Sequence, residues 1–116
     1  MSRISVLIPS RMRPISCLES IQSLLSTAKT EIEILVRLDD DDQTLEEYRK
    51  VLPTNVKIII GKRGNGYGDM GKYFDDLAYS SSGDMLMFWG DDARMKNEWD
   101  KNIISYSGKI ILDKAG

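Results

Sequence analysis

The sequence predicts an α/β fold built around a mainly parallel β-sheet. Short apolar runs rich in Ile, Val and Leu alternate with segments in which apolar residues recur at helical spacing. The runs are too continuous for half-exposed strands, and they recur at intervals close to the length of a βα repeat. The expected architecture is therefore a three-layer sandwich, with helices on the sheet faces, in a single domain spanning residues 1–116.

Five apolar runs are predicted to be strands. Each is short, and β-branched or aromatic residues are frequent in them, as in the strands of a buried parallel sheet. In chain order these runs are Ile4–Ile8, Ile32–Leu38, Val56–Ile60, Met85–Trp89 and Lys109–Leu112.

Four segments between the runs are predicted to be helices. Pro14 suits the first turn of the first helix, whose apolar residues from Ile15 to Leu25 follow helical spacing. Pro53 ends the second, because proline cannot continue a helix. The later helices are Thr44–Leu52, Met70–Ser80 and Lys96–Tyr106.

Charge and composition exclude several functional classes. The chain carries 16 basic and 18 acidic side chains, so no general basic surface for nucleic acid or anionic membrane is expected. The chain has no histidine, which removes serine–histidine and cysteine–histidine nucleophile pairs and histidine metal sites. The single cysteine, Cys17, reads as a small buried hydrophobic residue and favours a cytoplasmic setting. No apolar stretch is long enough to span a membrane.

Two acidic clusters follow predicted strands. Asp39–Asp42 comes at the end of the second strand, and Asp91–Asp92 follows the fourth. Because the carboxyl ends of parallel strands meet at one sheet edge, both clusters are expected there, where ligands bind in such folds. Their mutual repulsion needs compensation from helix N-termini or from a divalent cation such as Mg²⁺ or Mn²⁺ bridging to a diphosphate. The alternative for Asp42 is an ordinary helix N-cap.

The segment between the third and fourth strands is rich in glycine. Gly66, Gly68 and Gly71 match the G-x-G-x-x-G dinucleotide fingerprint, with Asp91 twenty positions beyond the last of them. The predicted strand ends several residues earlier, near Ile60, instead of turning tightly into a helix, and Asp69 lies within the loop. We therefore favour a flexible loop from which Lys62 and Arg63 can reach an anionic ligand.

Two further arginines lie where the first strand meets the first helix. Arg11 and Arg13 precede Pro14, beside the expected helix N-terminus. They suit a phosphate or a nucleobase edge, and solvated loop charges are the alternative.

Taken together, these motifs resemble the nucleotide-sugar-binding half of family 2 glycosyltransferases with the GT-A fold. The resemblance runs from Ile4 to about Trp99. It rests on SVLIPSRMRP at residues 5–14, EILVRLDDDD at 33–42, GKYFDDLAYSSSGD at 71–84 and MLMFWGDD at 85–92. It implies a glycosyltransferase site for a UDP-sugar with Mn²⁺ or Mg²⁺, and an unidentified acceptor.

The resemblance also implies roles for particular residues. Asp39 would accept a hydrogen bond from the base, with Asp40 or Asp41 as alternatives. Asp92 would match the metal-binding member of the DxD motif, with Asp91 as a second metal ligand. Gly90 occupies the first aspartate position of that motif, so ribose contact is the alternative for Asp91. The implied nucleotide-binding residues are Pro9, Ser10, Arg11, Arg13, Asp39, Asp41, Lys62, Arg63 and Asp91.

Members of this family usually continue into an acceptor-binding half that carries the catalytic base. We therefore expect a GT-A fold truncated at its C-terminus, with no assignable catalytic residue and little transfer activity alone. An exposed sheet edge would favour self-association. The alternative function is a non-catalytic nucleotide-binding or interaction domain. A receiver-like signalling domain is disfavoured, because it would carry its acidic pair where this chain has Pro9-Ser10-Arg11.

Overall fold

A computed structural model describes residues 3–29, 31–63, 70–83, 85–92 and 111–113, and within them it contains the predicted α/β sheet. The strands are ordered β3-β2-β1-β4-β5. The first four are parallel to one another, and β5 pairs antiparallel with β4. The strands are β1 (Ile4–Pro9), β2 (Ile32–Asp39), β3 (Lys57–Gly61), β4 (Met85–Phe88) and β5 (Ile111–Asp113).

Three helices are described, and all of them were predicted. They are α1 (Pro14–Thr27), α2 (Leu45–Val51) and α3 (Met70–Ser80). Pro14 occupies the start of α1, where its missing N–H costs nothing. The predicted helix Lys96–Tyr106 and the glycines Gly66 and Gly68 lie outside the described residues. No described helix is long and apolar enough to cross a bilayer.

Both faces of the sheet are buried, as the continuous apolar runs predict. On one face Val6, Ile8 and Val36 pack with residues of α1 and α2. On the other face Leu7 and Leu35 pack against Leu77 of α3. This alternation along β1 and β2 gives the three layers that the sequence predicted. Cys17 is buried in the first core, and burial raises the pKa of its thiol to about 12, as expected of a residue that serves as packing.

Two strand ends differ from the predicted bounds in a way that affects the site. β2 extends through Asp39 and β3 through Gly61, and these two residues are partners in the parallel ladder. The acidic run therefore begins inside the sheet and not after it. Trp89 was assigned to the fourth strand, but β4 ends at Phe88. The Trp89 backbone N–H still donates to the carbonyl of Leu7, which carries the hydrogen bonding past the strand end.

Strand order places a ligand crevice at the end of β1. This central strand pairs with β2 on one side and β4 on the other, so the direction of winding reverses there. In open α/β sheets, the crevice outside the carboxyl ends at such a reversal is where ligands bind. The residues that follow β1, β2 and β4 therefore meet at one edge, as predicted.

Candidate functional site

A cavity of about 490 Å³ opens at this edge, a volume suited to a small-molecule ligand. Seven of the residues predicted to bind nucleotide line it, and three residues not singled out from the sequence complete it. The predicted residues are Pro9, Ser10, Arg11, Arg13, Asp39, Arg63 and Asp91, and the additional ones are Met12, Arg37 and Tyr73.

The cavity lining is positively charged although the chain as a whole is acidic. Four arginines line it against two aspartates, whereas the chain's formal net charge is −2. A cavity of this sign attracts an anionic ligand. The sequence predicted compensation of the acidic clusters by helix N-termini or a cation. Among the described residues, arginine side chains supply that compensation.

Arg11 and Arg37 hold opposite oxygens of Asp39. Arg11 Nη1 donates to Asp39 Oδ2 at 2.9 Å, and Arg37 Nη1 donates to Asp39 Oδ1 at 2.6 Å. Asp39 is therefore fixed between two guanidinium groups at the floor of the cavity.

Asp41 and Lys62 were predicted to bind nucleotide, and both lie beside the cavity lining. Asp41 accepts from Arg11 at 2.7 Å and lies 3.6 Å from Arg63. The Arg11 hydrogen bond lowers the pKa of Asp41 and raises that of Arg11. Lys62 contributes its backbone carbonyl, which accepts from Arg37 Nη2 at 2.6 Å.

Asp42 joins the turn after β2 to the loop after β1. Its Oδ1 accepts from the N–H and the hydroxyl of Thr44, and its Oδ2 accepts from the N–H of Met12, a residue with a φ of 54°. Burial opposes ionisation of this carboxyl, but these hydrogen bonds outweigh it and lower its pKa. Asp42 is not the N-cap residue, because Thr44 occupies that position. Its role is to hold the left-handed backbone at Met12, where an L-residue is strained.

The lowered pKa of Asp42 predicts a contribution to stability that acid removes. A carboxyl whose pKa is lower in the folded state stabilises the fold above its ordinary pKa, here 3.8, and the contribution disappears as the pH falls through the lowered value. We expect the stability difference between the wild type and Asp42→Asn to be constant above about pH 5 and to shrink below pH 3.8. Urea denaturation across this range measures it. A difference that stays constant down to pH 2 would contradict the assignment.

A chain of hydrogen bonds runs from the buried Tyr48 to Asp91. Ser10 Oγ donates to Asp91 Oδ2 at 2.7 Å and lies 2.7 Å from Tyr48 Oη. Since a hydroxyl has one proton and that of Ser10 goes to Asp91, the Tyr48 hydroxyl must donate to Ser10. Tyr48 Oη in turn accepts from the N–H of Arg13 at 3.0 Å. Burial raises the pKa of Tyr48 to about 12, which keeps this donor protonated.

The backbone around Asp91 is also anchored, by serines of α1. Ser16 donates to the carbonyl of Asp91, and Ser20 donates to the carbonyl of Gly90. The indole N–H of Trp89 donates to Ser20 Oγ at 2.8 Å. The turn that carries the second acidic cluster is therefore held in place by side chains that no sequence motif links to it.

The second acidic cluster fits a divalent cation only in partnership with a ligand. Both oxygens of Asp91 have protein partners, Ser10 at 2.7 Å and the Arg13 guanidinium at 3.5 Å, while Asp92 is exposed. Within the described ranges no group of three or more acidic, histidine or cysteine side chains is placed to hold a metal. Mg²⁺ and Mn²⁺ commonly use one or two carboxylates, with waters and substrate phosphates completing their shell. Asp92, with or without Asp91, suits that arrangement.

Comparison with solved structures defines the class of fold. The chain has the fold of the N-terminal part of a glycosyltransferase of the GT-A type, which confirms the predicted fold class. Among the solved structures that the chain is similar to is TarS of S. aureus. The crystal structure of TarS 1-349 matches 90% of this chain with a TM-score of 0.68 and 24% sequence identity.

Two further TarS structures carry nucleotides. TarS 1-349 in complex with UDP matches with a TM-score of 0.68 and 24% identity, over 90% of this chain and 31% of that one. The complex with UDP-GlcNAc matches with a TM-score of 0.63 and 21% identity, over 90% of this chain and 30% of that one. The chain thus spans about a third of TarS 1-349, at 32% in the structure without nucleotide. No family model and no curated protein matches the sequence.

Three residues of the cavity, Met12, Arg37 and Tyr73, were not predicted, and Arg37 left a signal in the sequence. Arg37 is the single basic residue in the apolar run Ile32–Leu38, two positions before Asp39 and thus on the same face of the strand. A charged residue inside a buried strand indicates a specific partner. Tyr73 left no such signal, because its place over Arg37 depends on how α3 packs on the sheet.

Proposed function

We propose that this chain binds a nucleoside diphosphate sugar, a UDP-sugar, in the cavity, as the donor site of a glycosyltransferase whose acceptor is unknown. The excess of arginine over aspartate in a cavity at the sheet's switch point carries the proposal. The likeness of the fold to TarS, solved with UDP and with UDP-GlcNAc, supports the choice of nucleotide.

Different groups of the cavity lining suit the base and the diphosphate of such a ligand. Asp39 is held between Arg11 and Arg37, so its carboxylate is a hydrogen-bond acceptor that lies between two groups of donors. This order complements the edge of uracil, where an N–H donor lies between two carbonyl acceptors. Arg13 and Arg63 are more than half exposed, so their guanidinium groups are available to diphosphate oxygens. Lys62, exposed beside them, suits the same role.

Asp92 and Asp91 would hold the divalent cation together with the diphosphate. A cation bound there would neutralise the negative charge that builds on the departing nucleoside diphosphate while an acceptor hydroxyl attacks the anomeric carbon. Within the chain itself, the Tyr48–Ser10 hydrogen bonds orient Asp91, and Asp92 remains exposed to solvent. Location in the cytoplasm, self-association through a sheet edge and a partial GT-A domain remain predictions.

Calorimetric titration with UDP, with and without Mn²⁺, tests the proposal. We expect UDP to bind and Mn²⁺ to strengthen the binding. Asp92→Ala should remove most of the enhancement by Mn²⁺. We expect the affinity for UDP in the presence of Mn²⁺ to fall by at least about tenfold, as is usual when a metal's protein contacts are lost. Asp40→Ala is the matched control, since Asp40 is an exposed carboxylate at the same edge that lies outside the cavity lining. It should leave affinity within about twofold of the wild type.

A titration with NAD separates this proposal from the dinucleotide-binding alternative suggested by Gly66, Gly68 and Gly71. Binding of NAD with no binding of UDP would overturn the proposal. An equal loss in Asp40→Ala and Asp92→Ala would overturn the assignment of the cation site.

A further inference from the structure

Arg37 is a buried charge in a place where an apolar residue would pack more simply. Its side chain is 2% exposed, on the face of β2 that also carries Leu35 of the core under α3. Removing a guanidinium group from water costs several kcal/mol, and close partners do not always repay it. Replacing such a buried pair by apolar residues is often neutral or stabilising. Stability alone therefore does not explain why an arginine occupies this position.

The partners of Arg37 come from three separate elements that border the cavity. Its Nη1 donates to Asp39 on the same strand, and its Nη2 donates to the carbonyl of Lys62 after β3. From α3, the ring of Tyr73 lies 4.0 Å from the guanidinium carbon, and Asp76 Oδ2 lies 3.5 Å from Nε. Arg37 thus links the β3 end and α3 to a single carboxylate oxygen of Asp39.

The guanidinium group of Arg37 lies in the space that a side chain at Gly61 would occupy. A Cβ atom on Gly61 would lie 2.6 Å from Nη2 of Arg37 and 3.2 Å from its guanidinium carbon. Atoms do not approach so closely, so any larger residue at this position would displace the Arg37 head group from Asp39 and Lys62. Gly61 also pairs with Asp39 in the parallel ladder, so the space left by its missing side chain lies beside that carboxylate.

We propose that Arg37 is the positioning residue for nucleobase selection, and that Gly61 supplies the space that this role requires. The inference rests on the proposed function. With Oδ1 held by Arg37, the Asp39 carboxylate cannot rotate, and it presents an acceptor to the cavity in one fixed direction. A fixed acceptor favours a base with an N–H at that point, as in uracil, over one with an unprotonated ring nitrogen, as in cytosine.

Two variants disturb the same contact in different ways. Arg37→Lys keeps the charge but loses the planar, forked donor set that reaches Asp39 and Lys62 together. Gly61→Ala keeps the arginine but pushes its head group away. Both should weaken UDP binding by about tenfold or more, the range seen when a partner that orients a binding group is lost. Both should also bring the ratio of UDP to CDP affinity close to one.

Two controls separate positioning from general damage. Arg49→Ala removes an exposed arginine of α2, and Ile60→Ala changes the neighbour of Gly61 on the same strand. Both should keep the wild-type ratio of UDP to CDP affinity. Thermal unfolding establishes which variants fold, and a purely structural role would lower the unfolding temperature without changing the ratio. If Arg37→Lys does not fold, Gly61→Ala decides alone.

The outcomes distinguish this inference from the function on which it rests. A wild type that binds neither UDP nor CDP overturns both. A wild type that binds UDP without preferring it to CDP overturns the selection role alone. A preference for UDP over CDP that is unchanged in Gly61→Ala also overturns the selection role alone. Loss of preference in both variants, with the two controls unaffected, supports the assignment.

Discussion

Replacing Asp39 by asparagine is expected to lower the free energy of unfolding by about 3 kcal/mol, because it leaves the buried Arg37 without its closest counter-charge. The two side chains are 7% and 2% exposed, and 2.6 Å separates Oδ1 of Asp39 from Nη1 of Arg37. Asparagine has nearly the volume of aspartate, so the change tests charge and not packing. Asp76 remains 3.5 Å from Arg37, which places the loss at the lower end for a broken buried pair. Urea denaturation followed by circular dichroism measures it.

Asp41→Asn is the matched control for this substitution. Asp41 also pairs with Arg11, but its side chain is 48% exposed, and exposed ion pairs contribute little to stability because solvent screens them. An equal loss in the two variants would show that Arg37 does not depend on Asp39. A loss in Asp39→Asn that greatly exceeds the control would confirm that the floor of the cavity is a buried ion pair.

The sheet could be predicted because its central strands, β1 and β2, are buried on both faces. Runs such as Ile4–Ile8 are then mostly apolar, and their short length and β-branched residues separate them from α1 and α3. The bounds of α3 were predicted at both ends. Strand ends were less predictable: Asp39 and Gly61 are polar or small, yet they continue the ladder because each finds a partner in the other.

The candidate site was predictable where it depends on strand ends and not where it depends on packing between elements. Asp39 and Asp91 meet at one edge because parallel strands end together. Tyr48 and Ser10, 38 residues apart, meet only because α2 packs beside α1. The pairing of arginines with the acidic clusters was missed for the same reason. Sequence reasoning treated those clusters as an excess of negative charge, whereas the folded edge brings four arginines to the cavity lining.

The charge of the cavity bears on how a ligand with a diphosphate would be bound. Arg37 is committed to Asp39 and Lys62, and Arg11 bridges Asp39 and Asp41. Within the part of the chain that the structure describes, Arg13 and Arg63 make only long ion pairs, of 3.5 and 3.6 Å, with the carboxylates of Asp91 and Asp41. A phosphate oxygen would therefore most readily take the place of the carboxylates that pair with these two arginines.

Replacing Leu77 by alanine is expected to lower the free energy of unfolding by about 2–5 kcal/mol, the usual loss for a buried leucine. Leu77 is fully buried between α3 and the sheet, in a cluster with Leu7, Leu35 and Leu86. It lies one turn beyond Tyr73 on the same face of α3, so it holds the helix segment that contacts Arg37. Equilibrium urea unfolding of the wild type and the variant measures the difference.

Tyr79→Ala on the same helix is the control for the Leu77 substitution. Tyr79 is 92% exposed, and an exposed side chain of this kind should cost no more than about 0.5 kcal/mol. Both substitutions replace a large side chain of α3 by alanine, the strongest helix former, so the difference between them isolates burial. A small loss in Leu77→Ala, close to that of Tyr79→Ala, would mean that α3 is not docked on the sheet through this cluster. The contacts of Tyr73 and Asp76 with Arg37 would then lose their support.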